Sequence, residues 1–273
     1  MEREISAGCG WLVRKLQDFR RDRVIIGLSG GLDSAVTALW AVRALGAQRV
    51  TLLAMPYGSL TDAHFASSNP ESLEHARITA AAVPGVDFRE LDIAPTVDVE
   101  AESIQLMADL EQTPEDELLR LAFANIKARI RAVRLRYFAN RLHGVVLGTE
   151  NKTEHCLGYF TVGGDEESDF EILGNYLKYE VRQLAHELGV PAEVVKKPPS
   201  ADLWAGQTDE GEFGFSYMDA DHILHLSQCG DELSAVARKN CRISLDVAER
   251  VLMRVRMTAF KRAPKAIFPR LIL

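Results

Sequence analysis

The 273-residue chain is predicted to be an α/β protein: an open, doubly wound parallel sheet with helices on both faces, followed by a mostly helical C-terminal part. Three observations predict this. Short, near-continuously apolar runs of strand type alternate with segments of helical period, the pattern of parallel strands covered on both faces. The first of these runs passes through a glycine-rich loop directly into a helix. Beyond Glu150 strand patterning fades, and helical periodicity with long polar connections takes over.

Taken in order, Met1–Arg21 mixes both charge signs and has no continuous apolar stretch, so it is expected to be an amphipathic helix and not a secretory leader. Arg23–Leu28 (RVIIGL) is the first strand and Val50–Met55 (VTLLAM) the second, with Val86–Ile93 and Gly144–Gly148 (GVVLG) as third and fourth. Helical spacing covers Ser34–Leu45, Ser67–Ala82, Val99–Glu111, Glu115–Leu142 and, opened by Lys178, Tyr179–Leu188. The 115–142 helix carries two apolar stripes, Leu119, Phe123, Ile126, Ile130, Val133, Tyr137 and Ala128, Ala132, Leu135, Ala139, Leu142. Both faces need cover, either within one domain or against another subunit. Its basic side chains Lys127, Arg131 and Arg134 are expected to be solvated or ion-paired. The acidic run Asp165, Glu166, Glu167, Asp169 is expected in a solvated loop, and Asp202–Phe215 is too rich in Gly, Asp and Glu for regular structure. No internal repeat or linker interrupts the chain, which predicts one domain over 1–273.

Composition narrows the function classes. With 47% hydrophobic and 26% charged residues there is ample apolar surface for a core, which excludes intrinsic disorder. No apolar run approaches the roughly 18–20 residues that span a bilayer. A net charge of −7 disfavours nucleic acid and anionic membrane as partners, while leaving room for an anionic small ligand in a locally basic pocket. Cys9, Cys156, Cys229 and Cys241 form no CxxC and no metal-ligand spacing, so they are expected to be small, buried, reduced side chains in a cytoplasmic protein.

The chemistry concentrates in Gly27-Leu28-Ser29-Gly30-Gly31-Leu32-Asp33-Ser34, between the first strand and its helix. Two glycines let the backbone turn tightly, the serines add hydroxyls, and the helix start supplies unpaired N–H groups. That is a phosphate cradle, but neither a Walker A loop nor a GxGxxG fingerprint. Asp33 would repel a phosphate unless a divalent cation lies between them, which implies Mg²⁺. The simpler alternative is a Gly-Gly turn with Ser or Asp capping the helix. Glu154, beyond the fourth strand, is in position to supply the second carboxylate for that ion, since ligands of open α/β sheets bind beyond the strands' carboxyl ends.

The SGGLDS loop resembles that of the N-type ATP pyrophosphatases, and the remainder of the chain is similar to NAD synthetase. Carrying the likeness are Asn125-Ile126-Lys127-Ala128-Arg129, Gly148-Thr149-Glu150-Asn151-Lys152-Thr153-Glu154 with Gly158-Tyr159-Phe160-Thr161, and Ser200-Ala201-Asp202-Leu203-Trp204-Ala205-Gly206-Gln207-Thr208-Asp209-Glu210. The resemblance implies an adenine nucleotide alpha hydrolase-like fold. It also implies ATP-dependent amidation of deamido-NAD through an acyl-adenylate, with AMP and pyrophosphate released. It places ATP on the Gly27–Ser34 loop, Thr149, Lys178 and Ser200, and Mg²⁺ on Asp33 and Glu154. Catalytic roles fall to Asp33, Glu154 and Lys178, and deamido-NAD contacts to Arg129, Asp169 and Lys261. The 202–215 segment would be a lid, the protein a homodimer binding the dinucleotide at its interface, and ammonia the nitrogen donor, since no glutaminase domain precedes the first strand. Val162 stands where the family carries a lysine and Phe260 where it commonly carries a histidine. Loss of that lysine is expected to weaken the dinucleotide unless a neighbouring lysine or arginine fills its place. Two rivals are a tRNA-modifying pyrophosphatase, disfavoured by acidity and the lack of CxxC, and a regulatory nucleotide module without turnover, disfavoured by the Asp33 and Glu154 pair.

Overall fold

A computed structural model describes residues 1–58, 70–113, 116–200, 208–228 and 243–263. Its sheet has five parallel strands: β1 (Arg23–Gly27), β2 (Val50–Ala54), β3 (Asp87–Glu90), β4 (Gly144–Gly148) and β5 (Phe170–Glu171). They lie in the order β3-β2-β1-β4-β5. Each strand's alternate side chains feed a different core. Val24 and Ile26 join Leu52, Ala54, Val145 and Leu147 on one face, while Ile25, Leu53 and Val146 face the other. Burial on both faces is why these runs are apolar throughout.

The first face is covered by α1 (Glu2–Asp18), α2 (Leu32–Leu45) and α8 (Lys178–Leu188), where Ile5, Leu12, Trp40 and Leu184 are fully buried. Trp40 also donates its indole N–H to the Ile5 carbonyl at 3.0 Å, locking α1 onto α2. Opposite them lie α4 (Ala94–Ser103), α5 (Leu106–Gln112) and α6 (Glu117–Arg141), with Ile93, Val97, Leu110 and Phe123 in the second core. A third, smaller core holds the C-terminal part together, with Leu157, Phe213, Ile223 and Val251 at its centre. Its elements are α7 (Lys152–Leu157), α10 (Asp209–Phe213), α11 (Tyr217–Gln228) and α12 (Leu245–Met257). The remaining helices are α3 (Pro70–Ala81), α9 (Ala192–Lys196) and α13 (Ala259–Arg262).

The strand order changes direction at β1: β2 follows it on one side, whereas β4 lies on the other. A crevice therefore opens beyond the carboxyl ends of β1 and β4, the place where such sheets bind ligands.

Several expectations need correction. The helix expected over 99–111 begins earlier, at Ala94, with a proline in its first turn, and breaks at Gln105, whose φ of 59° no helix accommodates. The acidic run lies in turns and bends, as expected, and leads into the short strand β5, because Asp169 accepts a 2.7 Å bond from the Val146 amide and draws the chain alongside β4. Residues 209–213, expected to be irregular, form α10; 201–207 lie outside the described residues. Lys127 is buried, with its ammonium 4.4 Å from the Tyr57 ring centre and 4.6 Å from that of Phe123. Arg131 donates to the Met55 carbonyl at 3.0 Å and Arg134 to the Asp92 carbonyl at 2.8 Å, so this basic stripe ties α6 to the ends of β2 and β3. Cys9 and Cys156 are free thiols and only half-buried, while Cys229 and Cys241 fall outside the described residues.

Candidate functional site

A cleft of about 680 Å³ occupies the crevice. Its floor is the loop Gly27–Ser34. Gly30 has a φ of +77°, and a Cβ there would sit 1.9 Å from the Ser72 carbonyl oxygen, so no other residue fits. The Gly31 amide donates to Ser29 Oγ at 3.2 Å, and Ser34 Oγ donates to the Gly31 carbonyl at 3.0 Å. These bonds curl the loop over the start of α2. No side chain caps that helix, which leaves its first-turn amides facing the cleft for an anion.

Across the crevice, Asn151 caps α7. Its Oδ1 accepts from the Glu154 amide at 3.0 Å, and Glu154 Oε2 accepts from the Asn151 amide at 3.3 Å. The Asn151 side-chain amide in turn donates to Asp33 Oδ1 at 2.9 Å. Lys178, the first residue of α8, sends its ammonium between the two acids, pairing with Asp33 Oδ2 and, at 2.9 Å, with Glu154 Oε1. Its backbone amide is fixed by Thr153 Oγ1 at 3.0 Å, and Thr153 bonds Asp221, which also accepts from the Tyr179 amide at 2.7 Å. Local sequence makes Lys178 a surface lysine, yet it is 3% exposed.

Burial opposes the charge on Lys178, but Asp33 and Glu154 outweigh it and hold the ammonium above the ordinary lysine value. Burial likewise pushes Glu154 above the usual carboxylate range, with Lys178 pulling it back. Further along the wall, burial and neighbouring acids raise Glu150 to about 10, and burial raises Glu171 to about 7. Glu150 Oε1 is buried without a hydrogen-bond partner among the described residues.

Tyr217 packs against the junction of these charges. Its hydroxyl donates to Asp209 Oδ2 at 2.9 Å and lies 3.4 Å from Glu154 Oε1, and its ring stands 4.9 Å from the Lys178 ammonium. Asn151, Asp209, Tyr217 and Asp221 were not singled out as site residues in the sequence. Asn151 could have been, because Asn three places before Glu at a strand end is a capping-box signal.

Of the other sequence candidates, Thr149 and Ser200 line the cleft, Ser200 beside the undescribed 201–207. Arg129 reaches it from α6 and donates to the Val162 carbonyl at 3.2 Å, while Lys261 donates to the carbonyls of Gly158 and Phe160 at 2.8 and 2.6 Å. Val162 and Phe260 line it as well. Asp169 is not among the lining residues: Arg136 takes Oδ1 at 2.7 Å and the Val146 amide takes Oδ2.

The donor set suits a hard divalent cation. Asp33 and Glu154 offer carboxylate oxygens on either side of a position where the Lys178 ammonium already balances their charge. No group of three or more acidic, His or Cys ligands occurs among the described residues. Two carboxylates completed by phosphate oxygens is the usual arrangement for magnesium. No helix among the described residues is long and apolar enough to cross a membrane.

Comparison with known proteins places these features in context. The model of the NAD synthase family matches residues 4–265. The NH(3)-dependent NAD(+) synthetase of Methanosarcina acetivorans is 39% identical over 241 residues, covering 88% of each chain. That of Methanocaldococcus jannaschii is 36% identical over 262 residues, or 96% of this chain and 95% of its own. Among solved structures, the NMN synthetase of Francisella tularensis superposes with a TM-score of 0.81 at 28% identity, covering 99% of this chain and 98% of its own. The NH3-dependent NAD synthetase of Campylobacter jejuni does so with a TM-score of 0.74 at 26% identity, covering 98% of each.

Proposed function

The chain belongs to the NAD synthase family, and we infer from its cleft how its residues divide the work of an ammonia-dependent NAD synthetase. The enzyme is a carbon–nitrogen ligase that uses ATP to amidate deamido-NAD to NAD. A carboxylate is a poor acyl donor, so it must first carry a good leaving group. The nicotinate carboxylate of deamido-NAD attacks the α-phosphorus of ATP, pyrophosphate leaves, ammonia attacks the acyl-adenylate, and AMP departs.

The observation that carries this reading is the junction of Asp33, Glu154 and Lys178 beside an uncapped helix start. In it, the amides of the Gly27–Ser34 loop and of α2 hold the ATP phosphates, with Thr149 and Ser200 beside them. Lys178 stabilises charge on the departing pyrophosphate. Asp33 and Glu154 would hold magnesium, which when bound neutralises phosphate charge. Arg129 and Lys261 contact the dinucleotide, while Asp169 supports that wall through Arg136 and the β4 backbone. Ammonia comes from solution, in keeping with the names of relatives that align over nearly their whole length. The chain works as a homodimer joined through the outer face of α6, where Leu118, Leu121, Val133 and Tyr137 are exposed apolar side chains. The substitutions Asp33→Asn and Glu154→Gln test the assignment: each abolishes AMP formation in a protein that remains folded.

The likeness to the F. tularensis NMN synthetase favours one second reading, in which the acyl acceptor chemistry is kept but nicotinate mononucleotide replaces the dinucleotide. Comparing kcat/KM for the two carboxylates decides between them.

A further inference from the structure

The cations lining the cleft are almost all engaged. Lys178 is held by Asp33 and Glu154, Lys261 by two carbonyls, Arg129 and Arg131 by one each, and Lys197 by Ser72 Oγ at 2.6 Å. Arg182 stands in solvent. Arg254, from α12, differs from all of these. It is half-buried, its guanidinium carbon lies 4.6 Å from the centre of the Phe213 ring and 5.7 Å from that of Tyr159, and no hydrogen bond or ion pair joins its side chain to any described residue. Its Nε is shut off from solvent without an acceptor among the described residues.

Leaving a shielded donor unmade is unfavourable, and more so for a charged group. Glu150, Asp165, Asp209 and Glu212 line the same cleft, and Glu212 attracts the guanidinium, yet none of the four is within ion-pair distance of it. Arg254 is also close enough to Lys261 for the two positive charges to act on each other. An oxyanion between them would supply an acceptor for the guanidinium and relieve that repulsion. With rings against its face, the guanidinium presents its edge, the geometry that binds phosphate or carboxylate through two parallel bonds.

We propose that Arg254 is a binding residue for an oxyanion, phosphate or carboxylate, of the pyridine nucleotide substrate. The inference rests on the reading above. ATP phosphates have their own receptors in the Gly27–Ser34 amides and Lys178, whereas Arg254 stands on Tyr159 beside the 158–162 segment and Lys261.

The test is calorimetric binding of deamido-NAD alone, together with the KM of each substrate, for the full-length wild type, Arg254→Gln and Arg254→Lys. Arg254→Gln weakens deamido-NAD about 10- to 150-fold, leaves the KM for ATP within about twofold, and is partly rescued by Arg254→Lys, which keeps the charge but not the fork. Should the glutamine variant melt below the assay temperature, Arg254→Met, which keeps an unbranched stem over Phe213, carries the same comparison. Unchanged deamido-NAD affinity in a folded variant overturns the proposal, as does a rise confined to the KM for ATP, which would make the oxyanion ATP's. A wild type that forms NAD keeps the functional reading whichever way Arg254 falls.

Discussion

The side-chain amide of Asn151 donates to Asp33 Oδ1 at 2.9 Å, joining the loop after β1 to the helix after β4. The same side chain caps α7 through its oxygen, so one residue holds both acids of the site in register. Removing it by Asn151→Ala costs about 1 kcal/mol of stability through the lost cap. It also frees Asp33 to rotate. We expect kcat/KM for ATP to fall roughly 10- to 100-fold, with the KM for deamido-NAD unchanged; steady-state kinetics with each substrate varied in turn checks this.

Lys178 is the charge that lets Asp33 and Glu154 stand together in a buried place. Lys178→Met leaves two facing carboxylates uncompensated, and destabilisation of about 3–5 kcal/mol follows from breaking a buried ion cluster on one side. Asp33→Asn leaves Lys178 paired with Glu154 and costs less. Magnesium should then raise the melting temperature of Lys178→Met more than that of the wild type, because the cation takes over the missing charge. Thermal melts with and without magnesium measure both effects, and equal magnesium shifts would count against a shared cation position.

How much of this could be read from the chain depends on how local the cause is. β1, β2 and β4 were legible because burial on both faces forces continuous apolar runs, and the phosphate loop because Gly30 has no substitute. β5 was not, since two residues carry no period and the Asp169–Val146 bond that sets them is tertiary. Nor was the burial of Lys127 under Tyr57, or the break at Gln105. At the site, Asp33 and Glu154 were legible as carboxylates flanking a strand edge. The Thr153–Asp221 anchor beneath Lys178 came only with the packing of α11 against α7 and α8.

Glu150 gives a pH dependence of stability. Burial holds its folded-state value at about 10 against an ordinary 4.5. The folded chain thus keeps a proton that the unfolded chain releases, and stability falls as pH rises above about 4.5 towards 10. Glu150→Gln, which resembles the protonated acid, should match the wild type near pH 4 and exceed it by on the order of 5 kcal/mol at pH 8. Denaturant titrations without divalent cations at the two pH values check it, and parallel pH profiles would refute it.

The outer face of α6 leaves Val133 64% and Tyr137 60% exposed, near the Arg129 that contacts the cleft wall. Val133→Glu should convert a dimer to a monomer in light scattering and weaken deamido-NAD more than ATP. A wild type that is monomeric at micromolar concentration with full activity would remove this interface.

The central claim, that the Asp33–Glu154–Lys178 junction adenylates a nicotinate carboxylate for amidation, meets its most direct test in one coupled measurement. AMP and NAD are quantified together after incubating the enzyme with ATP, magnesium, ammonium and deamido-NAD. The account predicts equal amounts of the two products in the wild type and neither in Asp33→Asn. AMP no higher than in a control lacking deamido-NAD, or undiminished NAD formation by Asp33→Asn, would contradict it.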